Sequence, residues 1–447
     1  MQMCDSIAPL GRSVAQVTNE EGSFSPRAIL ELEMADRSVR WRAGDSSLHR
    51  DRALVLVRLH SKPIGVLDVA LAEQGDGVDE LFIEASEKLA IPIAEHLNED
   101  QTPELKLGEP QDHTVVAPCL RERTALHTSE PKVSIVLATM NRPVLADRCL
   151  QSIFELDYSN YEVIVVDSST GSETETLIAE KFSDVRYVRN FSGRVCVAKN
   201  RGAKEADGKY IAFTDDDAQV DKFWIAQLVL ALESSPNTAC ATGLVLPMEL
   251  ETQAQSWFEE TGAFVEGILP RRIDLQHRSP GSLLPYATGR IGAGVNMAWR
   301  RETFVKLGYF DVALDRCGAE DLAAFFDALC AGYEIVYEPG AIVWHQHRRT
   351  VDELVKQTLW HATGLGAYIT RCLVKEPGRI WDLMTRIPGG LRYGFASSSV
   401  RNTKKSETFP REVTRQEWIG FIKGPAAYVK GSFAARRSGV PSGEPPA

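Results

Sequence analysis

Tyr210-Ile211-Ala212-Phe213-Thr214-Asp215-Asp216-Asp217 is the stretch on which the reading of this chain turns. Its first four residues make a short apolar strand, and three carboxylates follow almost at once. Adjacent carboxylates repel one another, so crowding them onto a tight turn is costly unless a cation offsets their charge. Hard divalent ions such as Mg2+ or Mn2+ take oxygen ligands, commonly one or two carboxylates plus substrate phosphates. The same triplet would also suit a solvated acidic turn or a helix cap. What lies on either side decides between these.

Upstream, the pattern repeats. Val133-Ser134-Ile135-Val136-Leu137 runs into Ala138-Thr139-Met140-Asn141-Arg142-Pro143, and a helical periodicity follows through Leu145, Cys149, Leu150 and Ile153. Tyr161 to Asp167 is a second apolar strand, and Glu173 to Phe182 a second helix. Strands alternating with helices predict an α/β fold with a mostly parallel sheet flanked by helices. Ligands in such sheets bind at the carboxyl ends of the strands, where Thr139, Asp167 and the acidic triplet fall. Downstream, Glu320-Asp321 opens an amphipathic helix to about Leu329, followed by a strand over Tyr333–Tyr337, Pro339, and Ile342-Val343-Trp344-His345-Gln346-His347. Taken alone, acidic residues at a helix start serve the helix dipole, and a histidine after apolar residues is a core residue.

The remainder divides by texture. Residues 1–100 predict a small α+β domain of unknown role, with strands over Ile29–Met34, Ala53–Leu59 and Ile64–Leu71, a turn at Lys62-Pro63 and one helix near Glu80–Leu97. Residues 101–131 read as a linker, 351–437 as a helical C-terminal region, and 438–447 as a disordered tail rich in Pro and Gly. The net charge of -11 is uneven: from Val343 onward there are 17 Lys/Arg against 8 Asp/Glu, and before it 33 against 53. A basic end on an acidic body suits an anionic partner, including a peripheral contact with the inner face of a membrane, or simply a solvated helical surface. Eight scattered cysteines without metal spacing fit reduced thiols in a cytoplasmic protein. The first residues lack a signal-like pattern, and no apolar run reaches the roughly 20 residues needed to span a bilayer.

In order, Ala-Thr-x-Asn-Arg-Pro after a strand, Asp167 at a strand end, Ala198-Lys199-Asn200-Arg201-Gly202, the acidic triplet, Glu320-Asp321 and Trp344-His345 resemble family 2 glycosyltransferases of the GT-A fold. Gly243–Pro247, Gly292–Arg301 and His345–Arg349 are similar to a bacterial subgroup with an extra N-terminal domain. The likeness covers about residues 132–350. It implies an inverting transfer of a sugar from a nucleotide diphosphate donor, with Asp321 as general base beside Glu320. It also implies Asp215, Asp217 and His345 as ligands of Mg2+ or Mn2+, and a nucleotide pocket of Thr139, Asn141, Arg142, Asp167, Asn200, Arg201, Asp215 and Asp216. Asn296 and Trp299 would lie on the acceptor side, where a lipid-linked or glycan acceptor is expected. The chain departs from the family's pattern at Ser168, Ala319, Ala323 and Asp327.

Other classes fit less well. A sugar nucleotidyltransferase would carry a Gly-rich loop after its first strand, and Ala138–Pro143 has no glycine. Gly289–Gly294 lacks the strand-turn-helix setting of a dinucleotide site. No Gln-x-x-Arg-Trp motif points to a processive synthase, and an acidic core argues against nucleic acid. A non-catalytic module that binds nucleotide sugars is the remaining alternative.

Overall fold

The structure, a computed structural model, describes residues 24–42, 50–71, 78–101, 117–262, 264, 267–279, 281–315, 317–396, 398–399 and 402–437. The expected disordered tail, Cys4 and residues 102–116 of the expected linker lie outside these residues.

Strands β1 (Arg27–Glu33), β2 (Ser38–Trp41), β3 (Arg52–Leu59) and β4 (Lys62–Ala70) form one sheet in the order β2-β1-β3-β4. Alternation sends Ala28, Leu30, Leu32, Val55 and Val57 to one face, against Leu81, Phe82, Leu89 and Ile93. Those partners come from two helices, α1 (Val78–Lys88) and α2 (Ala90–Glu99), where one was expected. Leu89 breaks the run, and Pro92 sits in the first turn of α2, where its missing N–H costs no helical bond. The hairpin turns at His60-Ser61, both at positive φ, rather than at Lys62-Pro63; Pro63 lies in edge strand β4. β2 escaped the sequence reading because three of its four residues are exposed.

A helix, α3 (Pro118–Leu126), occupies part of the stretch read as a linker. The alternating region follows: β5 (Val133–Thr139), α4 (Pro143–Phe154), β6 (Tyr161–Asp167), α5 (Glu173–Lys181), β7 (Arg186–Arg189), α6 (Val195–Glu205) and β8 (Tyr210–Asp215). Strands β8-β5-β6-β7 are parallel throughout. Then come β9 (Ala218–Val220), α7 (Trp224–Glu233), β10 (Thr238–Pro247), α8 (Gln253–Glu260), β11 (Arg271–Ile273), β12 (Met297–Arg300), α9 (Arg301–Lys306), α10 (Glu320–Cys330) and β13 (Glu334–His345). They extend the sheet to the order β11-β13-β10-β12-β8-β5-β6-β7, with β12 antiparallel to both neighbours and β9 paired to β13. The result is an α/β fold, a large sheet flanked by helices. Ile135 and Leu137 pack with α4 and α7 on one face, and Val136, between them, with α6 on the other.

Three long helices close the chain: α11 (Val351–Lys375), α12 (Ile380–Phe395) and α13 (Arg411–Arg437). Thr350 and Glu353 cap α11 reciprocally. α11 and α13 touch backbone to backbone, because a Cβ on Gly366 would stand 2.3 Å from the Phe421 carbonyl oxygen. Buried Arg371 of α11 pairs with Asp311 at 2.8 Å and with Asp327 of α10 at 2.6 Å, fixing the helical extension to the sheet domain. No described helix is long and apolar enough to cross a membrane.

The second face of the N-terminal sheet is also covered. Ile29 and Leu56 pack against Leu244, Leu246, Ile342 and Trp344 of the large sheet and against Leu250, just after β10. Arg58, buried, pairs with Glu31 on its own sheet and at 2.6 Å with Asp221, just after β9. Arg58→Ala would leave Asp221 buried without that cation, and removing one partner of a buried pair costs roughly 3–5 kcal/mol. The midpoint of urea unfolding should fall accordingly; an unchanged midpoint would mean that this contact does not bind the two sheets together.

Candidate functional site

The strand ends assemble the site. Register places Thr139 beside Asp167, and Ala138 beside Asp215, so β5, β6 and β8 finish at one level. After Asp215 the chain turns through Asp216-Asp217 and returns as β9, which pairs Ala218 with His345 at the end of β13. The Gln346 N–H donates to the Asp217 carbonyl at 2.8 Å. This short ladder sets His345 Nε2 3.4 Å from Asp217 Oδ1. The edge of the Phe264 ring packs against the His345 ring, with centroids 5.3 Å apart.

Each carboxylate of the triplet has a different partner. Asp215 is half-buried and meets Lys199 Nζ at 3.1 Å. Asp216 is buried and accepts from Thr139 Oγ1 at 2.8 Å and Arg142 at 3.1 Å. Burial and the neighbouring Asp217 push the Asp216 carboxyl up to about 6, against the pull of Arg142. Burial would raise Asp217 as well, but His345, Arg348 and Arg142 together hold it well below the usual carboxylate range. Arg142 and Arg348 approach Asp217 Oδ2 at 3.2 and 3.3 Å. Arg142 stands at the start of α4 after Asn141, whose left-handed backbone is anchored through Ser169 and Thr170.

Lys199 joins the triplet to the start of α10. Fully enclosed, its ammonium lies 3.1 Å from Asp215 and 3.3 Å from Glu320. Burial would discharge it, yet the two carboxylates hold it protonated, above the usual lysine range. Next along, Asp321 accepts from the Gly294 N–H at 2.7 Å and from its neighbour Leu322 N–H at 2.8 Å. Burial, then the Glu320 charge, push the Asp321 carboxyl up to about 6.

Several expected site residues sit elsewhere. Asp167 is sealed from solvent, and its carboxylate accepts from the Ser169 N–H, the Tyr187 hydroxyl and Arg189. Asn200 spends its amide on the Phe310 backbone, donating at 2.8 Å and accepting at 2.9 Å. Arg201, one residue on, is exposed on α6. Trp299 is a core residue: β12 parity buries it completely, with its ring parallel to Phe325 and close to Phe304. Asn296 is equally internal. Its side chain accepts from Trp224 Nε1 and donates to the Leu244 and Ala341 carbonyls, the latter in a bulge of β13. Both are enclosed in the core rather than open to solvent.

Two residues were missed. Lys199 follows Cys196 by three and precedes Ala203 by four, a spacing that puts it on the buried face of α6. A lysine there needs a carboxylate partner, and that was the available signal. Arg348 gave none, because its position depends on β9 pairing with β13.

Asp217 and His345 offer one oxygen and one nitrogen close enough to share a divalent ion, leaving positions for phosphate oxygens and water. Asp215, turned to Lys199, could join only by exchanging that partner. The donor set therefore fits such an ion.

Residues 134–289 match the family described as glycosyl transferase family 2. The chain is 23% identical over 244 residues to a glucosyl-dolichyl phosphate glucuronosyltransferase of Haloferax volcanii, covering 51% of this chain and 74% of that one. It is 26% identical over 229 residues to the probable glycosyltransferase YdaM of Bacillus subtilis, covering 49% and 52%. Several other curated relatives are spanned over about half their length or less. A mannosyltransferase of Pyrobaculum calidifontis, PcManGT, solved with GDP-Man and Mn2+, superposes with a TM-score of 0.43 at 17% identity over 72% of this chain and 94% of that one.

Asn296→Ala tests the reassignment of that residue. It orphans the Trp224 donor and two buried carbonyls, a loss on the order of 3 kcal/mol in unfolding free energy. The folded fraction should keep its KM for acceptor, and a raised KM with unchanged stability would return Asn296 to the acceptor side.

Proposed function

We propose that this chain is an inverting transferase that moves a sugar from a nucleotide diphosphate donor to an acceptor hydroxyl, a reading supported by the match of residues 134–289 to glycosyl transferase family 2. One observation carries the reading: buried Lys199 ties Asp215 of the acidic turn to Glu320, so that Asp321 stands beside the donor-side carboxylates. In this reading Thr139, Asn141 and Arg142 border the nucleotide, and Asp216 holds Arg142 toward it. Mg2+ or Mn2+ held by Asp217 and His345 would neutralise charge growing on the diphosphate.

Asp321 is the proposed base. Its two backbone donors fix the carboxylate while leaving lone pairs for a third partner. The acceptor O–H proton passes to Asp321 as the acceptor oxygen bonds to the anomeric carbon. The bond from that carbon to the diphosphate breaks, and its electron pair leaves on the phosphate oxygen. Attack and departure on opposite faces invert the centre. A carboxyl raised to about 6 is mostly ionised at neutral pH yet basic enough to take the proton.

Asp321→Asn should keep donor binding and lose transfer by roughly 10²–10⁴-fold. In the unaltered protein kcat/KM should fall as pH drops through about 6, because the base is protonated on the acid side. Asp217→Ala should abolish the Mn2+-dependent rise in melting temperature caused by the donor. Full transfer by Asp321→Asn would refute the assignment, and donor binding without transfer or hydrolysis by the unaltered protein would favour a non-catalytic module.

For the acceptor we propose the hydroxyl of a sugar carried on a lipid-linked phosphate, met at a membrane surface. The relative named for a dolichyl phosphate substrate supports this. So does α12, where Ile380, Trp381, Met384 and Ile387 are exposed within the basic end of the chain. Co-sedimentation with phosphatidylglycerol vesicles should exceed that with phosphatidylcholine, and Trp381→Glu should weaken it. Equal, negligible binding to both would remove this reading.

A further inference from the structure

We propose that the N-terminal unit holds a second metal site, for a zinc-class divalent cation, formed by His60, His96, Asp100 and Cys119. It is independent of the proposed activity. Among the described residues, the ligand atoms of these four side chains all lie within 4.8 Å of one another. They come from three separate elements. His60 occupies the β3–β4 turn, His96 and Asp100 lie four apart at the end of α2, and Cys119 is the second residue of α3.

The local structure aims each of them. His60 is held at φ 53°, an unfavourable angle for a side-chain-bearing residue, by a turn whose His60 and Ser61 N–H groups both donate to the Glu33 carboxylate at 3.0 and 2.8 Å. The Cys119 N–H donates to Asp100 Oδ1 at 3.1 Å, orienting that carboxylate. Its other oxygen, Oδ2, lies 3.0 Å from His60 Nδ1, 3.2 Å from His96 Nε2 and 2.8 Å from Cys119 Sγ. The two imidazole nitrogens are 3.2 Å apart, and His96 Nε2 is 3.9 Å from Cys119 Sγ. Metal–ligand bonds of about 2.0–2.3 Å put the ligand atoms of a tetrahedral shell roughly 3.3–3.6 Å apart, close to this spread.

Protons satisfy the arrangement poorly. If both facing nitrogens carry protons, one carboxylate oxygen must serve three donors and the two N–H groups point at each other. If instead one ring donates to the other across 3.2 Å, the accepting nitrogen turns its lone pair on Asp100 Oδ2. A single cation receives all four lone pairs. On binding, the Cys119 S–H bond breaks, its proton passes to solvent and the sulfur pair forms the metal bond. The thiolate and the Asp100 carboxylate then neutralise the ion's two charges. Two nitrogens, one sulfur and one oxygen suit zinc rather than Mg2+.

The test uses the full chain, purified without a histidine tag, incubated with Zn2+ and desalted before elemental analysis. A stoichiometric ion should remain, should persist in Asp217→Ala, and should be lost in the His96→Ala/Cys119→Ser double variant. Loading with Co2+ supplies a readout that does not depend on the double variant folding: a sulfur-to-cobalt charge-transfer band that vanishes in Cys119→Ser. No retained Zn2+ and no such band in the unaltered chain, or equal retention by a folded double variant, would overturn the site.

Discussion

The site depends on a ladder of three residue pairs. β9 returns from the acidic turn to pair Val220 with Val343, Gln219 with Trp344 and Ala218 with His345. Without that pairing, the carboxylates at the end of β8 and the histidine at the end of β13 would belong to strands that do not touch, separated in the sheet by β12 and β10. The bulge in β13 is built into the same arrangement. Asn296 occupies it from one side, and Gly243 must be glycine because a Cβ there would stand 2.0 Å from the Ala341 carbonyl oxygen.

Having concentrated five carboxylates, Asp215, Asp216, Asp217, Glu320 and Asp321, the fold must supply cations. It does so unevenly. Lys199 is enclosed between Asp215 and Glu320, whereas Arg142 and Arg348 reach Asp217 with side chains about a third exposed. An enclosed ammonium is a fixed structural charge, costly to remove because its partners would be left buried and unpaired. Partly exposed guanidiniums can exchange a carboxylate for a phosphate with little reorganisation, since the bidentate geometry that suits one suits the other. The difference in burial divides the site into a permanent frame and a face open to an anionic ligand.

What the sequence disclosed follows the same division. Buried parallel strands such as Val133–Leu137 and Tyr161–Asp167 stand out as apolar runs, and their carboxyl ends place Thr139, Arg142 and the acidic triplet together without knowledge of distant contacts. β9, at three residues, is too short to carry a periodicity, so the meeting of Asp217 with His345 could be expected only from likeness. Likeness places segments around Asp167, Asn200, Asn296 and Trp299 but not the direction of each side chain, which strand parity and neighbouring donors decide. Asp167 faces Tyr187 and Arg189 because β7 pairs alongside it. The four metal-ligand candidates of the N-terminal unit left no motif, since a turn, a helix end and a helix start bring them together across a stretch read as a linker.

The N-terminal unit gains a physical role from this geometry. It grips the β9–β13 ladder at two points: Arg42 lies 4.1 Å from the centre of the Trp344 ring and donates to Gln219, and Arg58 pairs with Asp221 where β9 ends. Two residues after Arg58, His60 begins the proposed metal cluster, and α3 carries Cys119 at one end and Arg123, stacked 3.6 Å from the centre of the Phe223 ring, at the other. A cation bound there would tie the β3–β4 turn and α2 to a helix that itself rests on the segment following β9. Order in the acidic turn would then depend on an ion remote from it, held by residues with no part in the proposed transfer, and the unit reads as a brace for the strand pair that makes the site.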